Sequence, residues 1–160
     1  MAAFVLDCSV ALSWFLPGEA ARSGSTLLDQ AAAEGAIVPG HWRLEIGNAL
    51  LMAERCKRIT PVQRRRVLGA LDQLAIAVDA EASDRAWGDT LTLAGAHRLT
   101  LYDAAYLEVA QRLALPLATL DAALRKAGKA IGLALLGGVN GRRIALRRNR
   151  RPSRGSRRSP

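Results

Sequence analysis

The chain reads as an α/β protein, three layers deep, with a central, mostly parallel sheet between helices. Three observations predict that class. Short apolar runs recur along the chain, each too brief for a helix. The runs lack the in–out alternation of a sheet wetted on one face, so both faces are covered. Longer helical stretches separate them, as parallel crossovers require.

The elements follow in order. Ala3, Phe4, Val5 and Leu6 run into Asp7, which suits a buried strand ending in an acid. Ser9 can cap a short helix through about Leu16, stopped by Pro17 and Gly18. A second helix fits 19–34, rich in Ala and Leu, and Gly35 ends it. Ala36 to Pro39 is another buried strand, and a helix follows over about 41–57. Thr60, Pro61 and Gln63 supply a cap, a first-turn proline and the reciprocal residue of a capping box, so a helix starts there and runs to about 75. Ala75 to Asp79 is a weak strand, Ser83 and Asp84 can cap a helix to about 97, and another helix spans 101–114. Pro116 to Leu120 is strand-like, 121–130 helical, and Ile131 to Leu136 strand-like.

Composition narrows the function. Half of the 160 residues are apolar, enough for one core. The two cysteines, Cys8 and Cys56, make neither a disulfide framework nor a cysteine zinc site. No stretch approaches the roughly 18 apolar residues of a bilayer span, and the apolar start carries Asp7 and lacks a basic leader. The expectation is a cytoplasmic protein. Charge is concentrated at one end. Nine of the 23 lysines and arginines are arginines in the last 21 residues, at 142, 143, 147, 148, 150, 151, 154, 157 and 158. No acid stands among them, so the whole net charge of +9 resides there. We divide the chain into a domain, 1–138, and an Arg-rich unfolded tail, 139–160, that attracts phosphate polyanions without sequence preference. The competing reading of the tail is a solubilising or non-native extension. Truncation after about 138 is expected to leave the fold intact and weaken this nonspecific affinity.

Four carboxylates stand where a domain of this kind has little use for them. On a helical wheel Glu45 shares the face of Trp42, Ala49, Met52 and Cys56, while Arg43, Glu54 and Arg58 lie opposite. Asp103 keeps company with Tyr106, Leu107, Ala110 and Ala114, with Glu108, Gln111 and Arg112 on the other side. Ionised carboxylates turned toward a core cost several kcal/mol each unless paired. Asp7 and Asp121 each follow a predicted strand, where open parallel sheets form their ligand crevice. Each acid has an ordinary explanation: a salt bridge from elsewhere for Glu45 and Asp103, a helix cap or turn for Asp7 and Asp121, and a cap for Asp103 in competition with Thr100. Taken together, the four can converge on one crevice, where mutual repulsion would demand a multivalent cation. Carboxylate ligands without cysteine or a paired histidine motif favour Mg²⁺ or Mn²⁺, and such a site suits phosphodiester hydrolysis. His41 and His97 are read as surface or capping residues. Tyr102 and Tyr106 are read as core packing, Trp14, Trp42 and Trp87 as packing or interface residues, and Arg64, Arg65 and Arg66 as a solvated helix face.

The residues around these acids form recognisable blocks: Val5-Leu6-Asp7-Cys8-Ser9-Val10-Ala11-Leu12, Leu44-Glu45-Ile46-Gly47-Asn48-Ala49-Leu50, Leu101-Tyr102-Asp103-Ala104-Ala105-Tyr106-Leu107 and Leu117-Ala118-Thr119-Leu120-Asp121. In order and spacing they resemble the PIN-domain family over about residues 3–136, and within it the VapC-type toxins of bacterial toxin–antitoxin pairs. The resemblance implies a Mg²⁺- or Mn²⁺-dependent endoribonuclease acting on single-stranded RNA. Its catalytic and metal-holding acids would be Asp7, Glu45, Asp103 and Asp121. Ser9 and Thr119 would be the supporting hydroxyl residues. It also implies a homodimer and a partner antitoxin protein that enters the acidic crevice. Two features depart from the family pattern: the Arg-rich tail, and Ala122 and Ala123 where some relatives carry a further acid. Two competing readings are a PIN-like module that binds RNA through the tail without cutting it, and a nuclease that processes DNA.

Overall fold

The computed structural model describes residues 2–16 and 24–138. Five short strands form one sheet: β1 (Val5–Leu6), β2 (Ala36–Val38), β3 (Ile76–Val78), β4 (Leu117–Ala118) and β5 (Leu135–Leu136). Every neighbouring pair is parallel, in the order β3-β2-β1-β4-β5. Among the described residues seven α-helices flank it: α1 (Cys8–Ser13), α2 (Gly24–Glu34), α3 (Trp42–Arg55), α4 (Pro61–Asp72), α5 (Leu91–His97), α6 (Leu101–Arg112) and α7 (Ala122–Ala130). The α/β class and the parallel sheet are as the apolar runs predict.

The two strands at the middle of the sheet, β1 and β4, are wholly buried. Phe4, Val5, Leu6, Leu117 and Ala118 have no measurable exposure and pack with Val38, Ile46, Leu50, Tyr106 and Leu107. Strand order fixes where a ligand can sit. β1 is followed in sequence by β2 on one flank and borders β4 on the other, so the order reverses between β1 and β4. The crevice of an open parallel sheet lies at that point, beyond the carboxyl ends of the strands. Asp7 follows β1 directly, and Thr119 follows β4.

Local signals act as expected at several ends. Thr60 and Gln63 form the full capping box that opens α4, with Pro61 in its first turn. Gly35 closes α2 with φ +78°, and a Cβ there would stand 2.8 Å from the Ala75 carbonyl oxygen, so only glycine fits.

Elsewhere the structure corrects the sequence reading. The expected helix from 83 to 97 is broken. Residues Ala86–Thr90 form one wide turn, and Gly88 leaves helical geometry at φ −109°, ψ −105°. Regular α5 begins only at Leu91. Asp7, not Ser9, occupies the cap position of α1. The strand expected over 131–136 shrinks to its last two residues, because Gly132 turns the chain at φ +77°. Glu108 and Arg112 do not form a solvated face. Glu108 is 3% exposed and lies 2.7 Å from Arg112, which also reaches Asp79 at 2.7 Å. Burial that the helix's own periodicity disfavours is met by a cation from α6 itself, which also pairs with a carboxylate just past β3. The division at 138 and the basic tail, 139–160, lie outside the described residues.

Candidate active site

Asp7 anchors the site. Its amide donates to the Ala118 carbonyl at 3.0 Å, continuing the β1–β4 ladder, and its side chain is 4% exposed. Burying a carboxylate there is made tolerable by two hydroxyls, from Ser9 and Thr119, both donating to Oδ2. The Thr119 bond measures 2.7 Å. These hydroxyls also accept: Ser9 Oγ from the Leu120 amide and Thr119 Oγ1 from the Asp121 amide, each at 3.0 Å. Ser9 and Thr119 thus tie the turn after β1 to the turn after β4. Arg125 closes the same turn from below, with Nη1 donating to the Thr119 and Leu136 carbonyls at 2.8 and 2.9 Å.

Glu45 sits in the first turn of α3, half-buried, and its Oε2 accepts from the Tyr106 hydroxyl of α6. His41, four residues earlier, brings Nε2 to 3.5 Å from the same oxygen. Asp103 lies in the first turn of α6. Thr100, the true cap of that helix, accepts from the Asp103 amide and donates to Asp103 Oδ2 at 2.7 Å. Asp121 fulfils the ordinary reading of a strand-end acid, since Oδ1 caps α7 by accepting from the Leu124 amide at 2.7 Å.

The electrostatics show which acids share one space. Burial pushes the Cys8 thiol well above its usual range, and the charges of Asp7, Glu45 and Asp103 push it further, aided by its hydrogen bond with Asp7. Burial likewise raises the Glu45 carboxyl. The Tyr106 hydroxyl and His41 pull it back, and the like charges of Asp7 and Asp103 raise it again. Tyr106, buried and facing Glu45, has its own phenol pushed up, so it serves only as a donor. Cys8 and Glu45 thus both feel the charges of Asp7 and Asp103. Asp121 is linked to Asp7 through its own amide, which donates to the Thr119 hydroxyl that in turn donates to Asp7. Among the described residues, none of the four acids is ion-paired to a lysine or arginine. No three carboxylate, imidazole or thiol groups among those residues form a ready-made cation cage. Glu45 and Asp103 instead rest against hydrogen-bond donors of their own helices and neighbours.

Two residues of the site escape the sequence reading. Tyr106 is buried as expected, yet it is also the donor to Glu45. Its wheel position, three residues after Asp103 on one face, was the available signal. His41 does occupy the cap position of α3, one of its two readings, but its side chain makes no cap bond. It stacks edge-on against Tyr102 and Tyr106, with centroids 5.4 and 5.3 Å apart, and its spacing of four from Glu45 was the clue. Tyr102 is not core, being 63% exposed. Trp42 is buried as read, whereas Trp87 is 90% exposed.

With this geometry in hand, known proteins offer the following likenesses. The family described as PIN domain matches residues 4–130, a span holding all four acids. No curated protein matches. Among solved structures, the chain is similar to the crystal structure of PAE2754 from Pyrobaculum aerophilum, with 22% identity and a TM-score of 0.62. The alignment covers 84% of this chain and 91% of that one. At such identity the likeness is one of fold.

Proposed function

This chain belongs to the PIN domain family, and on that footing we propose that it is a Mg²⁺- or Mn²⁺-dependent endoribonuclease of single-stranded RNA, acting as the toxin of a toxin–antitoxin pair. The family's fold is a nuclease fold, and its members are generally divalent-metal nucleases. The observation that supports this reading most is the shared field of Asp7, Glu45 and Asp103 at the switch point, with no lysine or arginine paired to them among the described residues. A hard divalent cation fits this donor set, which is carboxylate oxygen throughout, because the one thiol present is held protonated.

Asp7 and Asp103 would hold the principal cation, with Glu45 and Asp121 completing the shell directly or through water. Such a cation supplies a water of lowered pKa and neutralises charge gathering on the attacking and leaving oxygens. The protein's own part is orientation. Ser9 and Thr119 fix Oδ2 of Asp7, which leaves the carboxylate one settled rotamer. Tyr106 holds Oε2 of Glu45 and keeps its proton while doing so, with His41 Nε2 standing 3.5 Å from the same oxygen. Cleavage by an activated water needs no 2′-hydroxyl from the substrate. The antitoxin and the homodimer belong to the VapC-like part of this reading and rest on the motif blocks.

Asp7→Asn and Asp103→Asn, each assayed with Mg²⁺ and with EDTA on single-stranded RNA, single-stranded DNA and hairpins, test the assignment. Loss of at least about a hundredfold in metal-dependent RNA cleavage is expected, and retention of full activity by both variants sinks the proposal. Growth arrest on expression, relieved by a small protein encoded next to this gene, tests the toxin role.

A further inference from the structure

Next to the carboxylates lies a cavity of about 140 Å³ that the hydrolytic chemistry does not use. Its walls include His41 from the turn before α3, Ser83, Ala86 and Thr90 from the segment between β3 and α5, and Tyr102 and Ala105 from the start of α6. The cavity adjoins the acids through two of these residues. His41 reaches toward Glu45, and Tyr102 immediately precedes Asp103.

Two features point to a ligand. Thr90 is 1% exposed, yet its hydroxyl has no hydrogen-bond partner, an expensive state for a buried polar group. Tyr102, on the opposite side of the chemistry scale, leaves most of an aromatic ring in water at the pocket's edge. The pocket thus combines aliphatic walls, an exposed aromatic ring, the His41 imidazole, whose Nε2 also lacks a hydrogen-bond partner, and one unsatisfied hydroxyl. It contains no lysine or arginine, which argues against a phosphate as its occupant. Its volume is below the ~300–1,000 Å³ of ordinary small-molecule sites, and matches a single planar ring system. An unstacked nucleobase has that form, with flat faces for Tyr102 and a polar edge for Thr90.

We propose that this pocket is a base-recognition subsite, taking one unpaired base of the RNA strand beside the phosphodiester presented to Asp7, Glu45 and Asp103. The proposal rests on the reading of the chain as an RNA-cleaving enzyme. Phosphate contacts place a strand, whereas base contacts choose the sequence, so Thr90 and Tyr102 are specificity residues and not catalytic ones.

Thr90→Val keeps the side chain's shape and removes the hydroxyl. Because that hydroxyl is unpartnered, the variant should unfold at the same temperature as the wild type or higher. Tyr102→Ala removes an exposed ring and leaves the core alone. Each is compared with the wild type on a randomised single-stranded RNA pool, by sequencing the cut ends in Mg²⁺ and the retained molecules in EDTA. The wild type is expected to favour particular bases at one position adjoining the cut. Both variants should still cut, with that preference reduced about tenfold and other positions unchanged. An unaltered preference in both variants, or none in the wild type, overturns the subsite and leaves the nuclease reading standing. RNA bound without cleavage overturns the nuclease reading, and the preference among retained molecules then decides the subsite by the same criteria. RNA neither bound nor cut overturns both.

Discussion

Cys8 is the residue on which the site's electrostatics register. Its half-buried thiol is pushed up by burial and by the charges of Asp7, Glu45 and Asp103, so it stays protonated near neutral pH. Cys56 is exposed. At pH 8, iodoacetamide should therefore label Cys56 and spare Cys8, as mass spectrometry of peptides will show. Asp7→Asn should raise the labelling rate of Cys8, because it removes the nearest of the charges that hold the thiol up. Equal labelling of the two cysteines in the wild type would contradict the shared field. Glu45 obeys similar physics. Burial is the main cause of its raised carboxyl, and Tyr106 is its counterweight. Tyr106→Phe leaves Glu45 without its donor and should cost about 1–3 kcal/mol in denaturant unfolding, since a charged acceptor loses its bond inside the fold.

Among the elements, α6 carries the heaviest duty. One face presents Asp103 and Tyr106 to the site. Another buries Glu108, whose charge is answered by Arg112 at 2.7 Å and, more distantly, by Arg85 at 3.7 Å. Arg112 also holds Asp79 just past β3, so this ionic group pins α6 to the sheet edge. Glu108 and Asp79 keep the Arg112 guanidinium firmly cationic. Arg112→Met leaves a buried carboxylate nearly unpaired and should destabilise by about 3 kcal/mol, read as a lower urea midpoint. Thr60→Ala, which dismantles the capping box of α4 far from the acids, should cost about 1 kcal/mol and leave cleavage untouched. That contrast separates general stability from the site: α4 opens at the far end of its own cap, whereas α6 positions Asp103.

For the whole molecule, the parallel order β3-β2-β1-β4-β5 gathers like charge at one place, and the fold bears the cost. A carboxyl raised above its ordinary value binds a proton in the folded state that the unfolded chain has already released. Glu45 therefore contributes stability that is complete below the usual carboxylate range and lost as pH rises through its raised value. In EDTA, thermal stability should decline over that window, and Glu45→Gln should flatten the decline. Added Mg²⁺ should raise the unfolding temperature of the wild type at neutral pH, by an amount equivalent to about 2.7 kcal/mol at a hundred times its dissociation constant. Asp7→Asn and Asp103→Asn should lose most of that gain, and calorimetry of the three proteins side by side checks it.

Much of this was legible from residue types alone. The apolar runs at Ala3–Leu6, Ala36–Val38 and Leu117–Ala118 declare buried parallel strands, because only a sheet covered on both faces tolerates continuous carbon. Thr60, Pro61, Gln63 and Gly35 mark helix ends through local hydrogen bonds and φ angles, which neighbouring residues settle among themselves. Glu45 and Asp103 stand out because charge at those positions conflicts with the helical period around it, and Asp7 and Asp121 because each directly follows a strand. Tertiary structure alone decided the rest. Tyr106 meets Glu45 across 61 positions, and Thr119 meets Asp7 across 112. Gly88 breaks a helix that its neighbours would continue, Glu108 turns inward to an arginine, and Thr90 is left unpartnered in a cavity wall. Such partnerships depend on which strands lie side by side, and periodicity carries the face of each element but not the identity of its neighbour.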